Sequence, residues 1–109
     1  MPHEVQFFPT IELEKERAQA GSRYLEFLRV PAMSAGLYVL PAGSTDPQQP
    51  HREDEMYYVV RGRARFQAAL EDREVNAGDV IFVGATVQHR FYDIAEDLTV
   101  LVFFAPAES

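Results

Sequence analysis

GSTDPQQPHREDEMYYVVRG, residues Gly43–Gly62, read together with GDVIFVGATVQHRFYD, residues Gly78–Asp93, decides what this chain is. His51 and Glu55 stand four apart where a loop enters a run of alternating residues, so both side chains can face one side of a strand. His89 opens a second strand-like run. Two imidazoles and a carboxylate within reach of one point make a mixed nitrogen and oxygen site. Such a set suits a borderline divalent ion such as iron, manganese, nickel or zinc. Calcium prefers oxygen alone, and the chain has no cysteine to supply thiolates.

The spacing of these residues resembles the small-barrel cupins. Their first motif runs Gly, five residues, His, one, His, three or four, Glu, six, Gly, and Gly43, Gln49, His51, Glu55 and Gly62 fall in that register. Gln49 departs from it by replacing the first histidine. The second motif runs Gly, five, Pro, one, Gly, two, His, three, Asn, and is matched by Gly78, Gly84, Thr86, His89 and Asp93, where the ligand position survives although three identities differ. The likeness spans roughly residues 35 to 105. It implies an all-β fold, the double-stranded β-helix or jelly-roll barrel, as one domain over residues 1–109 with an N-terminal arm (1–22) and a barrel from about 23 to 105. It also implies one divalent transition metal on His51, Glu55 and His89. Gln49 is a further ligand through its amide oxygen or else a hydrogen-bonding neighbour of the ligands, and Gln48 takes that place if the loop is shifted.

Composition agrees with a single β-rich globule. A chain of 109 residues has room for one core, and 47% hydrophobic residues with many Val, Phe and Tyr favour packed strands over disorder. The net charge is −7 and the basic residues are scattered, which argues against nucleic acid and against anionic membranes as partners. No apolar run is long enough to span a membrane, and MPHEVQFFPT lacks a charged start followed by an apolar stretch, so a cytoplasmic protein is expected.

Turn residues cut the chain into short strands. Apolar or aromatic runs at 24–30, 35–40, 55–60, 64–70, 79–83, 89–93 and 98–104 predict seven of them, with reversals at Pro41-Ala42-Gly43, Arg61-Gly62 and Asn76-Ala77-Gly78. Leu13 to Ala20 reads as a short charged surface helix stopped by Gly21.

Alternation then assigns faces. With Glu55 inward, Tyr57 and Val59 share the cavity; with His89 inward, Phe91 and Asp93 do, and by analogy with the family Tyr38 and Leu40 join them. Tyr58, Val60, Arg90 and Tyr92 face outward, as at a sheet or subunit contact. Tyr38 and Tyr57 are candidate proton donors, or else packing residues with satisfied hydroxyls. Asp93 orients a ligand or closes a turn. Asp46, Glu53 and Asp54 read as solvated loop acids, and His3 as a residue of the terminus.

An ion with open positions in a half-apolar pocket can activate oxygen, polarise a carbonyl or ionise water, and the resemblance to cupins implies a metal-dependent enzyme acting on a small metabolite, of dioxygenase, isomerase or lyase type. The rival is a non-catalytic cupin that binds a metal or small ligand as sensor, carrier or interaction module. The apolar segment from Val5 to Ile11 and the outward aromatics add the expectation of a homodimer.

Overall fold

The architecture comes from a computed structural model, which describes residues 4–47 and 50–109. Gln48, Gln49 and His3 lie outside the described residues. One helix, α1 (Thr10–Ala20), precedes six strands among those residues: β1 (Tyr24–Val30), β2 (Met33–Leu40), β3 (Asp54–Ala68), β4 (Glu71–Asn76), β5 (Val80–Val83) and β6 (His89–Ala105). Every pairing is antiparallel, in the order β1-β2-β6-β3-β4, with β5 also on β3.

Two long strands make the barrel. β3 pairs with β6 from Asp54–Ala105 to Ala68–His89, while its first half also pairs with β5 and its second half with β4. Strands of this length must bend to wrap a core, and bulges supply the bend: the β3–β6 register shifts between Val59 and Arg61, Arg61 and Arg63, and Arg63 and Arg65. Gly62 sits at this bend with φ of 102°, and a Cβ there would overlap the Asp97 carbonyl. The glycine read from sequence as a reversal is therefore a bulge inside β3, and runs 55–60 and 64–70 form one strand. Runs 89–93 and 98–104 are likewise one strand, β6.

The same bulging corrects the face of Asp93. Its φ of 49° breaks the alternation, so Phe91 points into the core, Asp93 is exposed, and Ile94 takes the inward place. Phe91 has no exposed surface and packs edge-on against Phe66, at 4.8 Å between ring centroids, and Tyr57, at 5.0 Å. With Leu40, Val59, Leu98, Val100 and Phe104 these rings form the core under the candidate metal ligands.

The helix starts earlier than read, at Thr10, and stops at Gly21, whose left-handed φ of 71° lets its N–H close on the Arg17 and Ala18 carbonyls. Leu13 alone is buried; the helix lies on β1 and β2 as an outer cover, and Glu14 pairs with Arg61 of β3. The strand missed in the sequence is β4, EDREVN, whose single inward residue is Val75. It pairs with β3 around a turn that leaves Leu70 fully in solvent.

Candidate metal centre

Three chain segments converge inside the barrel. The loop after β2 carries His51, the start of β3 carries Glu55 and Tyr57, and the start of β6 carries His89 across the interior. One ligand atom from each of His51, Glu55 and His89 lies within 4.8 Å of the other two, and Glu55 and His89 are buried.

Two hydrogen bonds, one between backbones and one to the Asp54 carboxylate, stitch the two motifs together. The His51 carbonyl accepts from the Thr86 N–H at 2.6 Å, and Asp54 accepts from the Ala85 N–H at 2.9 Å. The His51 ring packs edge-on to Phe104 at 4.8 Å. This arrangement fixes the ligand separation before any ion is considered.

The hydrogen bonds also fix the chemistry of each imidazole. His89 Nδ1 is 2.8 Å from the Val87 carbonyl, which can only accept, so Nδ1 carries the proton and Nε2 keeps its lone pair in the neutral ring. Nε2 aligns with the Tyr57 hydroxyl at 3.0 Å. It is also 2.9 Å from Glu55 Oε1, an ion pair when the ring is protonated; in the neutral ring the two are not aligned for a hydrogen bond, and Oε1 is buried with no hydrogen-bond partner. Burial pulls the His89 pKa down, yet the Glu55 carboxylate, the Val87 carbonyl and the Asp46 charge outweigh it and hold the ring above its ordinary value. His51 Nδ1 lies 3.2 Å from Glu108, a carboxylate placed as those that steer ligating histidines.

A carboxylate oxygen buried beside an imidazole lone pair is what a cation repairs, and two imidazoles with one carboxylate are ligands for iron, manganese, nickel or zinc. The residues present therefore fit a divalent transition ion.

The two tyrosines stand differently. Tyr57 is buried; desolvation and the Glu55 charge push its pKa well up. Tyr38 donates to Asp46 Oδ1 at 2.7 Å, and burial together with that bond raises its pKa too. Both hydroxyls thus stay protonated and already have partners.

Four residues of the site carry no motif signal or were read otherwise. Asp46, read as solvated, accepts from Tyr38 and, through Oδ2, from the Phe91 N–H at 2.9 Å, which ties the His51 loop to β6. Glu53, also read as solvated, is 5% exposed and accepts from the Ser109 N–H. Glu108 comes from the segment after β6. Tyr24 lines the pocket opposite Tyr38, its partner in the β1–β2 register; since paired residues share a face, an inward Tyr38 was the signal that could have found it.

Together these side chains line a pocket of about 280 Å³: Tyr24, Tyr38, His51, Glu55, Tyr57 and Glu108 around Pro47 and Val102. A cleft of about 370 Å³ lies elsewhere, beside β4 and β5, but its Glu71, Arg73 and Asp79 are solvent-exposed and no ligand cluster lies there among the described residues.

An antiparallel barrel with two histidines and a glutamate converging inside it defines a class of small β-barrel proteins with an internal metal-type site. The chain belongs to the cupin family: the cupin domain matches residues 36–104. It is 53% identical over 98 residues to the uncharacterized protein SCO3923 of Streptomyces coelicolor, covering 90% of this chain and 93% of that one. Among solved structures it is similar to BH2720 of Bacillus halodurans (TM-score 0.78, 19% identity, 94% of this chain and 83% of that chain). It is similar also to TT1209 of Thermus thermophilus (TM-score 0.76, 20% identity, 94% of this chain and 99% of that chain). At such identities the structural likeness speaks for the fold alone.

Proposed function

We propose that this cupin is a metal-dependent enzyme that acts on a small metabolite, with one divalent transition ion, iron, manganese, nickel or zinc, held by His51, Glu55 and His89. The observation that carries this reading is the convergence of His51, Glu55 and His89, one ligand atom of each within 4.8 Å of the others, with Glu55 Oε1 buried without a hydrogen bond 2.9 Å from His89 Nε2. When bound, the ion supplies a Lewis acid with positions left open to the pocket. Dioxygenase, isomerase and lyase chemistry all use that arrangement.

The chain's own residues do the rest. Val87 and Glu108 orient the two imidazoles, Phe104 backs His51, and the walls of Val102 and the tyrosine rings limit water around the reacting molecule. Tyr57 and Tyr38, held protonated, serve as hydrogen-bond donors and not as bases. Their existing partners favour a second reading, a cupin that binds its small ligand without turning it over. Gln49 keeps its place as a further ligand or a neighbour of the ligands, and nucleic acid and membranes are not proposed as partners of this acidic chain.

Elemental analysis of protein purified without chelator tests the reading. One ion per chain is expected in the wild type and a loss of most of it in His89→Ala. Stoichiometric metal retained by His89→Ala would overturn the assignment.

A further inference from the structure

Tyr24 opens β1, and its ring leans over β2 at Gly36, where a Cβ would overlap both the ring and the hydroxyl. A glycine inside a strand weakens it, and one physical reason to accept that is a close approach of this kind. The hydroxyl so placed is buried against Gly36 and has no hydrogen-bond partner, and the residue that carries it helps to line the pocket of His51, Glu55 and Glu108. A polar group buried without a partner is costly, and the cost disappears when something in the pocket accepts from it.

The charges of the same wall restrict what that something is. Among the described residues that line the pocket, the carboxylates are Glu55 and Glu108, and no Lys or Arg stands with them. A divalent ion balances these two charges, so an anionic molecule would find no net positive charge to hold it and would meet Glu108 at close range.

We propose that Tyr24 is the hydroxyl that holds the ligand in this pocket, and that the ligand is a small uncharged molecule with a carbonyl or hydroxyl oxygen that accepts from it. This deepens the metal-site reading, on which it rests for the ligand's second foothold. Gly36 makes the placement possible, and Glu108 selects against acids.

The test compares lactamide with lactate, two molecules of the same size that differ in charge, by NMR titration of zinc-loaded and metal-free protein. In the zinc-loaded wild type lactamide binds, and Tyr24→Phe weakens it about fivefold, the worth of one hydrogen bond, with zinc content unchanged. The metal-free Tyr24→Phe protein melts no lower than the wild type, because the substitution removes an unsatisfied hydroxyl. Glu108→Gln improves lactate relative to lactamide by about fivefold or more. A Tyr24→Phe protein that melts lower yet binds lactamide as before would overturn the proposal, as would a lactate preference indifferent to Glu108→Gln or no lactamide binding at all. Failure of zinc to bind the wild type would instead refute the metal reading, and the metal-free melting comparison would still decide the role of the Tyr24 hydroxyl.

Discussion

Asp46→Ala is the perturbation whose size can be worked most fully from the structure. Its carboxylate accepts from the Tyr38 hydroxyl at 2.7 Å and from the Phe91 N–H at 2.9 Å, and Phe91 is fully buried. Removing it strands a buried backbone donor, at about 1–3 kcal/mol, and loses the charge-assisted bond to a tyrosine that is only half-buried and can recruit water. A total of about 3 kcal/mol follows. For 109 residues the entropy of unfolding is about 0.23 kcal/mol per degree, so the melting temperature should fall by about 13 °C. Asp46→Asn keeps one acceptor oxygen and should lose about a third of that. Because Asp46 ties the loop of His51 to β6, the Ala variant should also bind zinc more weakly. Calorimetric melting of the metal-free proteins is the assay. A drop below about 3 °C for Asp46→Ala would show that the carboxylate is replaced by solvent at no cost, and the account of the loop would be wrong.

Other outcomes follow from single features. The folded pKa of His89 lies above its unfolded value, so in metal-free protein the charged ring adds stability that is fully present below about pH 6.5 and lost as pH rises through the folded pKa; melting against pH reads it. A metal ion must displace that proton, so apparent zinc affinity should already decline as pH falls from above 6.5; a flat affinity down to about pH 6 would contradict this. Gly62→Ala combines a positive φ with overlap on the Asp97 carbonyl and should cost about 3 kcal/mol, and a melting temperature near the wild type would remove the bulge from the explanation of the barrel. Met56, Tyr58, Val80 and Phe82 leave an apolar stripe exposed on β3 and β5, so light scattering at micromolar concentration should report a homodimer that Phe82→Asp weakens; a wild-type monomer would refute it.

The barrel was legible because two motifs in order tie a loop to a strand, and the alternation of Glu55, Tyr57 and Val59 survived folding intact. What misled the reading was glycine and curvature. Gly62 looks like a reversal because glycine accepts positive φ, but the same freedom serves a bulge in a long bent strand, and only the β6 partner distinguishes the two. Asp93 lost its face to such a bulge as well. β4 was invisible because EDREVN is held by pairing to β3 and by Val75 alone, with no alternation to read. At the site, His51, Glu55 and His89 were legible from spacing, and the structure brings them together. Glu108, Asp46 and Glu53 were not, since a carboxylate that holds a loop or faces a pocket looks the same in sequence as a solvated one; burial and partners separate them.

The central claim is that one ion sits between His51, Glu55 and His89. Anomalous diffraction at the zinc edge, from crystals grown with zinc, tests it directly. The account predicts one strong peak per chain at about 2.0–2.2 Å from an imidazole nitrogen of His51, a Glu55 carboxylate oxygen and His89 Nε2. A map with no peak there, or with zinc only on surface carboxylates, would contradict it.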